Sequence, residues 1–422
     1  MIPAMRSLKL EERDRATSIF NDIIMRFEHS QTPEAECGYK PITLIALMEK
    51  EVSEKDEFLR LFFSFIGQNP STEGGEWETD VEHMLSRLAS FDSWTTEEID
   101  ALRESLAAFA KYLVDNSLLP RRSPELMQDA RPLLCSVKAF AAHTPQPTPA
   151  PLSPSILSDA AISTPQRVSI LRRDCLARDR HRCVITRKFD AEEAGTRWKR
   201  EKHNMKDDDG QLFSERDTFA FVEVAHIIPH FMPLSNEGGE RKLASGHTIA
   251  STDAWLTMFQ VESKQVAHRI LNMFNPTAVN LINGPNIDRP RNALTPTHGL
   301  HRQFGEFDIA FEPIGPEPHT YKIDHVDPDD FVSVEKLLIT VTLYLTPDRT
   351  IDPPSPELLE IHRAIGRILH VSAVGDYIEG FLRDMEEMEG GGVIPNGSSR
   401  LDDFVRFRLT VTGWLEGRSP AL

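Results

Sequence analysis

The sequence predicts an α+β fold in which helical regions flank a small central unit of two strands and a helix. From Ala16 to Phe27, apolar side chains recur at helical spacing, which predicts an amphipathic helix near the N-terminus. In the centre, Val222 to His226 has the pattern of a strand and Pro229 stops it. The alternation from Phe307 to Phe311 predicts a closing hairpin, and helical spacing returns from Glu357 to Glu389.

Composition divides the chain into four predicted segments. Residues 1–142 are expected to form a helical N-terminal region. Residues 143–165 are rich in proline, serine and threonine, which predicts an extended linker. Residues 166–346 hold the central unit with a helical insertion at about 234–285, and residues 347–422 form a helical C-terminal region.

The central segment begins with a basic stretch. Val168 to Arg178 is predicted as a basic helix, and Cys183 to Thr186 as a short strand. A polar stretch follows from Asp190 to Asp217 and contains three consecutive aspartates. Asp207–Asp209, next to Gly210, are predicted as a solvated loop tip, with a metal site as the alternative interpretation.

The composition limits the kinds of partner and compartment. The 422 residues carry a formal net charge of −18, which counts against a protein that coats nucleic acid, because phosphate repels an acidic surface. From Arg167 to Lys206, however, basic residues outnumber acidic ones. The four cysteines contain no C-x-x-C pair, which argues against a disulfide framework or a four-thiolate zinc site. No apolar run could span a bilayer and residues 1–20 lack a secretory signal, so we expect an intracellular protein, cytoplasmic or nuclear.

Two short stretches carry side chains suited to phosphodiester hydrolysis, which needs a base, a cation and help for the leaving oxygen. His226 ends a strand, and a neutral histidine suits the role of general base. Asn292 lies in a polar turn and could orient the ring of that histidine. His301 falls where a helix begins and could bind one divalent metal ion. Arg291 and Arg302 flank the site and could bind phosphate oxygens.

These stretches resemble a known family. The segment from Arg182 to Phe311 resembles the HNH endonuclease domains (the ββα-metal superfamily) found in many uncharacterised fungal proteins. The shared features are the Cys-x-x-Thr of Cys183–Thr186, the Ala-His-Ile-Ile-Pro of Ala225–Pro229, Asn292, His301 nine residues later, and Phe304. The resemblance implies two strands and a helix that clasp one divalent metal, usually Mg²⁺, with His226 as general base, Asn292 as positioning residue and His301 as metal ligand.

The sequence departs from the family pattern before the base. Many HNH enzymes carry a metal-binding acid or histidine immediately before that histidine, and this chain has Ala225 there. Because a strand repeats every two residues, Glu223 shares a face with Ala225 and is a candidate substitute ligand, the alternative being a solvent-facing strand residue. His298 would share a helix face with His301, as a second ligand or as an exposed residue at the helix start.

The sequence therefore predicts a metal-dependent endonuclease acting on DNA, with Mg²⁺, or alternatively Mn²⁺ or Zn²⁺, as its ion. A catalytically inactive HNH-fold scaffold or protein-interaction module is the alternative, and Ala225 and the charge of −18 favour it. The helical regions are candidates for binding a protein partner or for self-association.

Overall fold

The structure is a computed structural model that describes residues 10–29, 38–67, 81–90, 93–118, 164–214, 217–229, 266–326 and 339–391. Most of the predicted linker (143–165) and of the predicted insertion (234–285) lies outside these residues. The α+β class predicted from the sequence is confirmed, with helices on both sides of small central sheets.

Helices form the N-terminal region. Among the described residues they are α1 (Leu10–Glu28), α2 (Pro41–Glu51), α3 (Lys55–Gly67), α4 (Val81–Leu88) and α5 (Thr96–Leu113), and a π-helical turn (Val114–Leu118) continues α5. Thr95 begins α5 with a capping box, in which its side chain accepts from the Glu98 N–H and the Glu98 carboxylate accepts from the Thr95 N–H. The reciprocal bonds satisfy two backbone donors that a helix start leaves open.

The central region alternates short strands and helices. Where the structure describes this region, its helices and strands are α6 (Thr164–Arg178), β1 (Phe189–Asp190), α7 (Ala191–Glu201), β2 (Phe219–Ala220), β3 (Ala225–His226), α8 (266–274), α9 (Ala278–Ile282), β4 (Ala293–Leu294), α10 (His298–Gly305), β5 (Ile309–Pro313), β6 (Thr320–His325) and β7 (Ile339–Thr342). β1 pairs with β2 in parallel, whereas β3 with β4 and β5-β6-β7 are antiparallel. The β5-β6 pair is the predicted closing hairpin.

The structure corrects one local prediction and adds a helix that the sequence did not indicate. Cys183–Thr186 is a turn rather than a strand, because the Cys183 carbonyl accepts from the Arg187 N–H and its Sγ accepts from the Thr186 N–H. The polar stretch after Asp190 contains α7, whose first turn that carboxylate caps by accepting from the Glu193 N–H. Its other oxygen accepts from the Val222 N–H, so Asp190 ties α7 to the strand that leads into β3.

In the described part of the C-terminal region, two helices cover the stretch predicted as helical from Glu357 to Glu389: α11 (Pro356–Val371) and α12 (Val374–Gly391). The break falls at Ser372 and Ala373, and Ala373 has a left-handed backbone with φ of 60° that a helix cannot continue through. No helix in the described part of the chain is long and apolar enough to cross a membrane.

One hydrophobic core joins the flanking helices to the central region. It extends from Ala16 in α1 through Ala225 and Leu294 in the β3-β4 pair to Phe381 in α12. α2 packs on α11, where Arg367 and Glu51 form an ion pair with a 2.9 Å N–O distance. Helices of the N-terminal and C-terminal regions therefore share one core with the β3-β4 pair that carries the candidate site. The predicted domain boundaries stay predictions.

His362 of α11 holds the end of α10. Its ring stacks on Phe304, with 3.9 Å between ring centroids, and on Phe307 at 4.4 Å. The buried Nε2–H donates to the Phe304 carbonyl at 2.9 Å. Burial lowers the pKa of His362 to about 3, and the bond to that carbonyl only partly opposes the shift. The helix that carries His301 is thus anchored to the C-terminal region through a neutral histidine.

This burial predicts a pH-dependent stability. Unfolded His362 binds a proton below pH 6.5 but the folded ring does so only near pH 3, so stability falls as pH falls through that window. Relative to pH 7, we expect His362 to remove about 2 kcal/mol of the free energy of unfolding at pH 5. Urea unfolding of wild type and His362→Phe at pH 7 and pH 5 measures this contribution to the free energy of unfolding. The variant should be the less stable at pH 7 and lose less on acidification; identical pH dependences would contradict the prediction.

Candidate active site

The two sequence motifs meet as an antiparallel ribbon. Across the β3-β4 pair, His226 faces Ala293. The same register reaches Val222 opposite Thr297, and at the other end the Ile227 N–H donates to the Asn292 carbonyl at 2.8 Å. α10 begins directly after this ribbon and contacts β3. Strand, turn and helix thus have the order that the sequence predicted.

Asn292 fastens the end of the ribbon. Its side chain is fully buried, and its Oδ1 accepts from the Ile228 N–H at 2.9 Å. Its Nδ2 donates to the carbonyls of Ile228 and Ile287 at 2.9 and 3.0 Å. The expected contact with the His226 ring was wrong, because the amide already binds three backbone groups. Asn292 acts on His226 by fixing the backbone that follows it.

His226 lies beside a carboxylate that sequence reasoning missed. Its side chain is 10% exposed, and its Nε2 is 3.4 Å from Oδ1 of Asp288. The buried Asp288 ends the 3₁₀ turn Gly284–Asp288, and its Oδ2 accepts from Nε of Arg167 at 2.9 Å. A single aspartate in an irregular turn has no local pattern, so only the fold shows that it meets His226.

A second polar group lies where β3 leads into α10. Glu223 accepts from Nδ1 of His301 at 2.6 Å and from Nδ1 of His298 at 2.8 Å, the geometry that places a proton on both nitrogens. Partial burial raises the pKa of the Glu223 carboxyl, but hydrogen bonds from His301 and His298 lower it more, so the net shift is downward. The ring of His298 is 82% exposed although it binds Glu223. His298 is therefore an exposed residue at the helix start, and its role as a second metal ligand stays a prediction.

These side chains form two groups rather than one network. Glu223, His298 and His301 form the first group. His226 and Asp288 form the second group, and His226 lies three residues after Glu223 in the sequence. Val224 and Ala293, which share the face of His226, pack on α6.

The donor set of the first group suits a divalent ion, because carboxylate oxygens and imidazole nitrogens are ordinary ligands of Mn²⁺ and Zn²⁺, and Mg²⁺ accepts the carboxylate. The arrangement of these side chains, in contrast, is not that of a metal site, because the described residues hold no cluster of three or more His, Cys, Asp or Glu side chains placed to bind a metal ion. Glu223 binds the two rings directly, so an ion would have to replace those hydrogen bonds. Ala225 is buried and offers no donor.

The two predicted phosphate-binding arginines lie on either side of this region. Arg302 on α10 is exposed and donates to Glu306 one helical turn away at 2.8 Å, which raises its pKa. Arg291 is half-buried, and its Nη2 donates to Oδ1 of Asn286 at 3.2 Å. Arg302 is thus the more accessible cation.

Acidic partners neutralise much of the basic segment. The aspartates at 207–209 lead into an exposed turn at 208–210, as the sequence predicted, and each of them also pairs with a base: Arg182 with Asp207, His181 and Arg197 with Asp208, and Arg180 with Asp209. Burial raises the pKa of Asp208, but the bonds from His181 and Arg197 lower it more. The basic patch expected from the sequence is therefore smaller than the residue count suggests.

Arg178 is a structural residue that sequence reasoning counted with that patch. Its side chain is fully buried and binds both carboxylate oxygens of Asp179, at 2.9 and 2.7 Å. It also donates to the carbonyls of Pro290 and Ala293, on either side of Asn292. Asp179 in turn accepts from the Thr295 hydroxyl at 2.8 Å. This network locks the turn that carries Asn292.

The β3-β4 ribbon is followed by α10, with histidine, asparagine and histidine in that order, which agrees with the arrangement that the resemblance predicts. Residues 183–312 match the family model described as HNH endonuclease, which confirms the resemblance predicted from the motifs. No curated protein and no solved structure matches the chain. The family indicates nuclease activity in general and a nucleic-acid substrate, and its members typically use a divalent metal.

Proposed function

We propose that the protein is a metal-dependent endonuclease that hydrolyses phosphodiester bonds in DNA. The observation that carries the proposal is the β3-β4-α10 unit, which holds His226, Asn292 and His301 in order inside the matched segment. DNA cleavage should be weakly sequence-specific, since no base-reading element is recognisable. Digestion of end-labelled DNA and RNA of one sequence tests the substrate and the sequence specificity together. We expect cuts at many positions in the DNA. Intact DNA, or cleavage at one sharp site, would contradict the proposal.

In this proposal, His226 is the general base. Its neutral ring takes a proton from a water molecule, the water oxygen bonds to phosphorus, and the phosphorus–oxygen bond to the leaving group breaks. Asn292 keeps the strand end in place so that the ring meets the water in one orientation. Arg302 and Arg291 bind non-bridging phosphate oxygens and compensate the growing negative charge.

His301 and Glu223 are the proposed ligands of the divalent ion, Mg²⁺ or alternatively Mn²⁺ or Zn²⁺, with His298 close enough to join them. When bound, such an ion would act as a Lewis acid on a phosphate oxygen. Glu223 supplies the charge that Ala225 lacks, and its lowered pKa keeps it ionised at neutral pH.

Removing His301 should weaken metal binding itself. Because loss of a mere outer-shell partner already lowers metal affinity about 10- to 100-fold, we expect His301→Ala to lower Mn²⁺ affinity by more than about 10-fold. Isothermal titration with Mn²⁺ measures this change. His203→Ala is the matched control, since His203 is exposed and contacts Trp198 instead. Equal affinities in wild type and His301→Ala would remove His301 from the ligand set.

The second candidate function is a catalytically inactive HNH-fold module that binds a protein partner or a second copy through the helical regions. Ala225 in the usual ligand position and the formal net charge of −18 favour it. A folded protein that binds no divalent ion and cleaves no DNA would support it. For either function we propose an intracellular location, cytoplasmic or nuclear, from the cysteine usage of the sequence.

A further inference from the structure

The pairing of His226 with Asp288 lies outside the motif and connects three separate elements. Asp288 comes from the 3₁₀ turn before β4, His226 ends β3, and Arg167 lies in the first turns of α6. The Asp288 side chain is 1% exposed and the His226 side chain 10%. A carboxylate this deep in the protein needs partners that compensate its charge.

The two oxygens of Asp288 divide between these partners. Oδ2 accepts from Nε of Arg167 at 2.9 Å, which is a charge-assisted hydrogen bond. Oδ1 lies 3.4 Å from Nε2 of His226, an electrostatic contact longer than a good hydrogen bond. Arg167 favours the ionised form of Asp288, and an ionised carboxylate favours a proton on the nitrogen that faces it.

We propose that Asp288 is a positioning residue for His226: its carboxylate keeps the proton of the neutral ring on Nε2, so that Nδ1 is the nitrogen that accepts the proton from water. The inference rests on the proposed function only where it treats His226 as the general base; the contact between Asp288 and His226 is independent of that function. When Nδ1 gains a proton, the ring becomes a cation whose Nε2 lies 3.4 Å from a negatively charged oxygen. Asp288 therefore stabilises the charge that the reaction creates, as an outer carboxylate does for other catalytic histidines.

The tautomer can be measured without any cleavage. In protein labelled with ¹⁵N at histidine, the two ring nitrogens of neutral His226 give different resonances according to which one carries the hydrogen, and His226→Gln identifies the pair. We expect the hydrogen on Nε2 in wild type. Asp288→Asn has nearly the same shape, but its amide can donate to Nε2, so the hydrogen should shift toward Nδ1.

Arg167→Gln is the matched control, because it removes the hydrogen bond from Arg167 to Asp288 and leaves the carboxylate beside His226. We expect this variant to lose stability to urea and to keep the wild-type tautomer. If Asp288 only supported the fold, both variants would lose stability and neither would change the tautomer. That result, or a wild-type hydrogen on Nδ1, would overturn the proposal.

Kinetics then separate this proposal from the proposed function. On a DNA substrate, Asp288→Asn should lower kcat about 10- to 100-fold with KM nearly unchanged. An unchanged kcat in an active enzyme would overturn the positioning role while the nuclease stands. A wild type that sets the Nε2 tautomer but cleaves nothing would instead overturn the nuclease, and with it the catalytic use of Asp288.

Discussion

Replacing His226 with alanine should slow nicking of supercoiled plasmid by about 10²- to 10⁴-fold, the range that a general base contributes. The ring is held at the end of β3, is only 10% exposed, and is the proposed acceptor of the water proton. Glu223 and His301 bind each other without it. Metal affinity should therefore stay near that of wild type, and the loss should appear in the rate of the chemical step.

His203→Ala is the control for this substitution, because it removes an exposed histidine from the same matched segment. Its nicking rate should equal that of wild type. Thermal unfolding of all three proteins shows whether His226→Ala is folded. If folded His226→Ala nicks at the wild-type rate, the general base is another group.

Replacing Arg178 with methionine should lower the free energy of unfolding by about 3–5 kcal/mol, because it leaves the Asp179 carboxylate buried without its counter-charge. The side chain of Arg178 is fully buried, so water cannot take over its hydrogen bonds. The carbonyls of Pro290 and Ala293 would also lose a donor, which should loosen the turn that holds Asn292.

Arg173→Met is the matched control in the same helix. Arg173 also pairs with the aspartate that follows it, but its side chain is 73% exposed, and exposed pairs contribute little to stability. Urea unfolding at pH 7 should therefore separate the two variants clearly. Equal, small losses would show that the buried network around Asp179 does not hold the turn.

The parts of the site that sequence predicted are those with a local pattern. His226 ends a strand just before a proline, and Asn292 and His301 are nine residues apart across a turn and a helix start. The two stretches do meet, because β3 pairs with β4 and α10 follows directly. Glu223, which strand alternation had made a candidate ligand, lies beside His301 of α10. Their roles in catalysis and metal binding stay predictions.

The parts that sequence missed depend on contacts between distant positions. Asp288 reaches His226 across 62 residues, and Arg178 reaches the Ala293 carbonyl across 115. Neither residue differs from a surface aspartate or arginine in its local sequence. Pairing of the aspartates at 207–209 with Arg180, Arg182 and Arg197 was missed likewise, because a composition count cannot show which charges meet.

The most direct test of the central claim is nicking of supercoiled plasmid by the purified full-length protein, with Mg²⁺, Mn²⁺, Zn²⁺ or EDTA. His226→Ala prepared in parallel controls for contaminating nucleases. We expect nicked plasmid with a divalent ion, and none with EDTA or with the variant. A folded protein that leaves the plasmid intact with every ion would contradict the nuclease and leave the inactive HNH-fold module in its place.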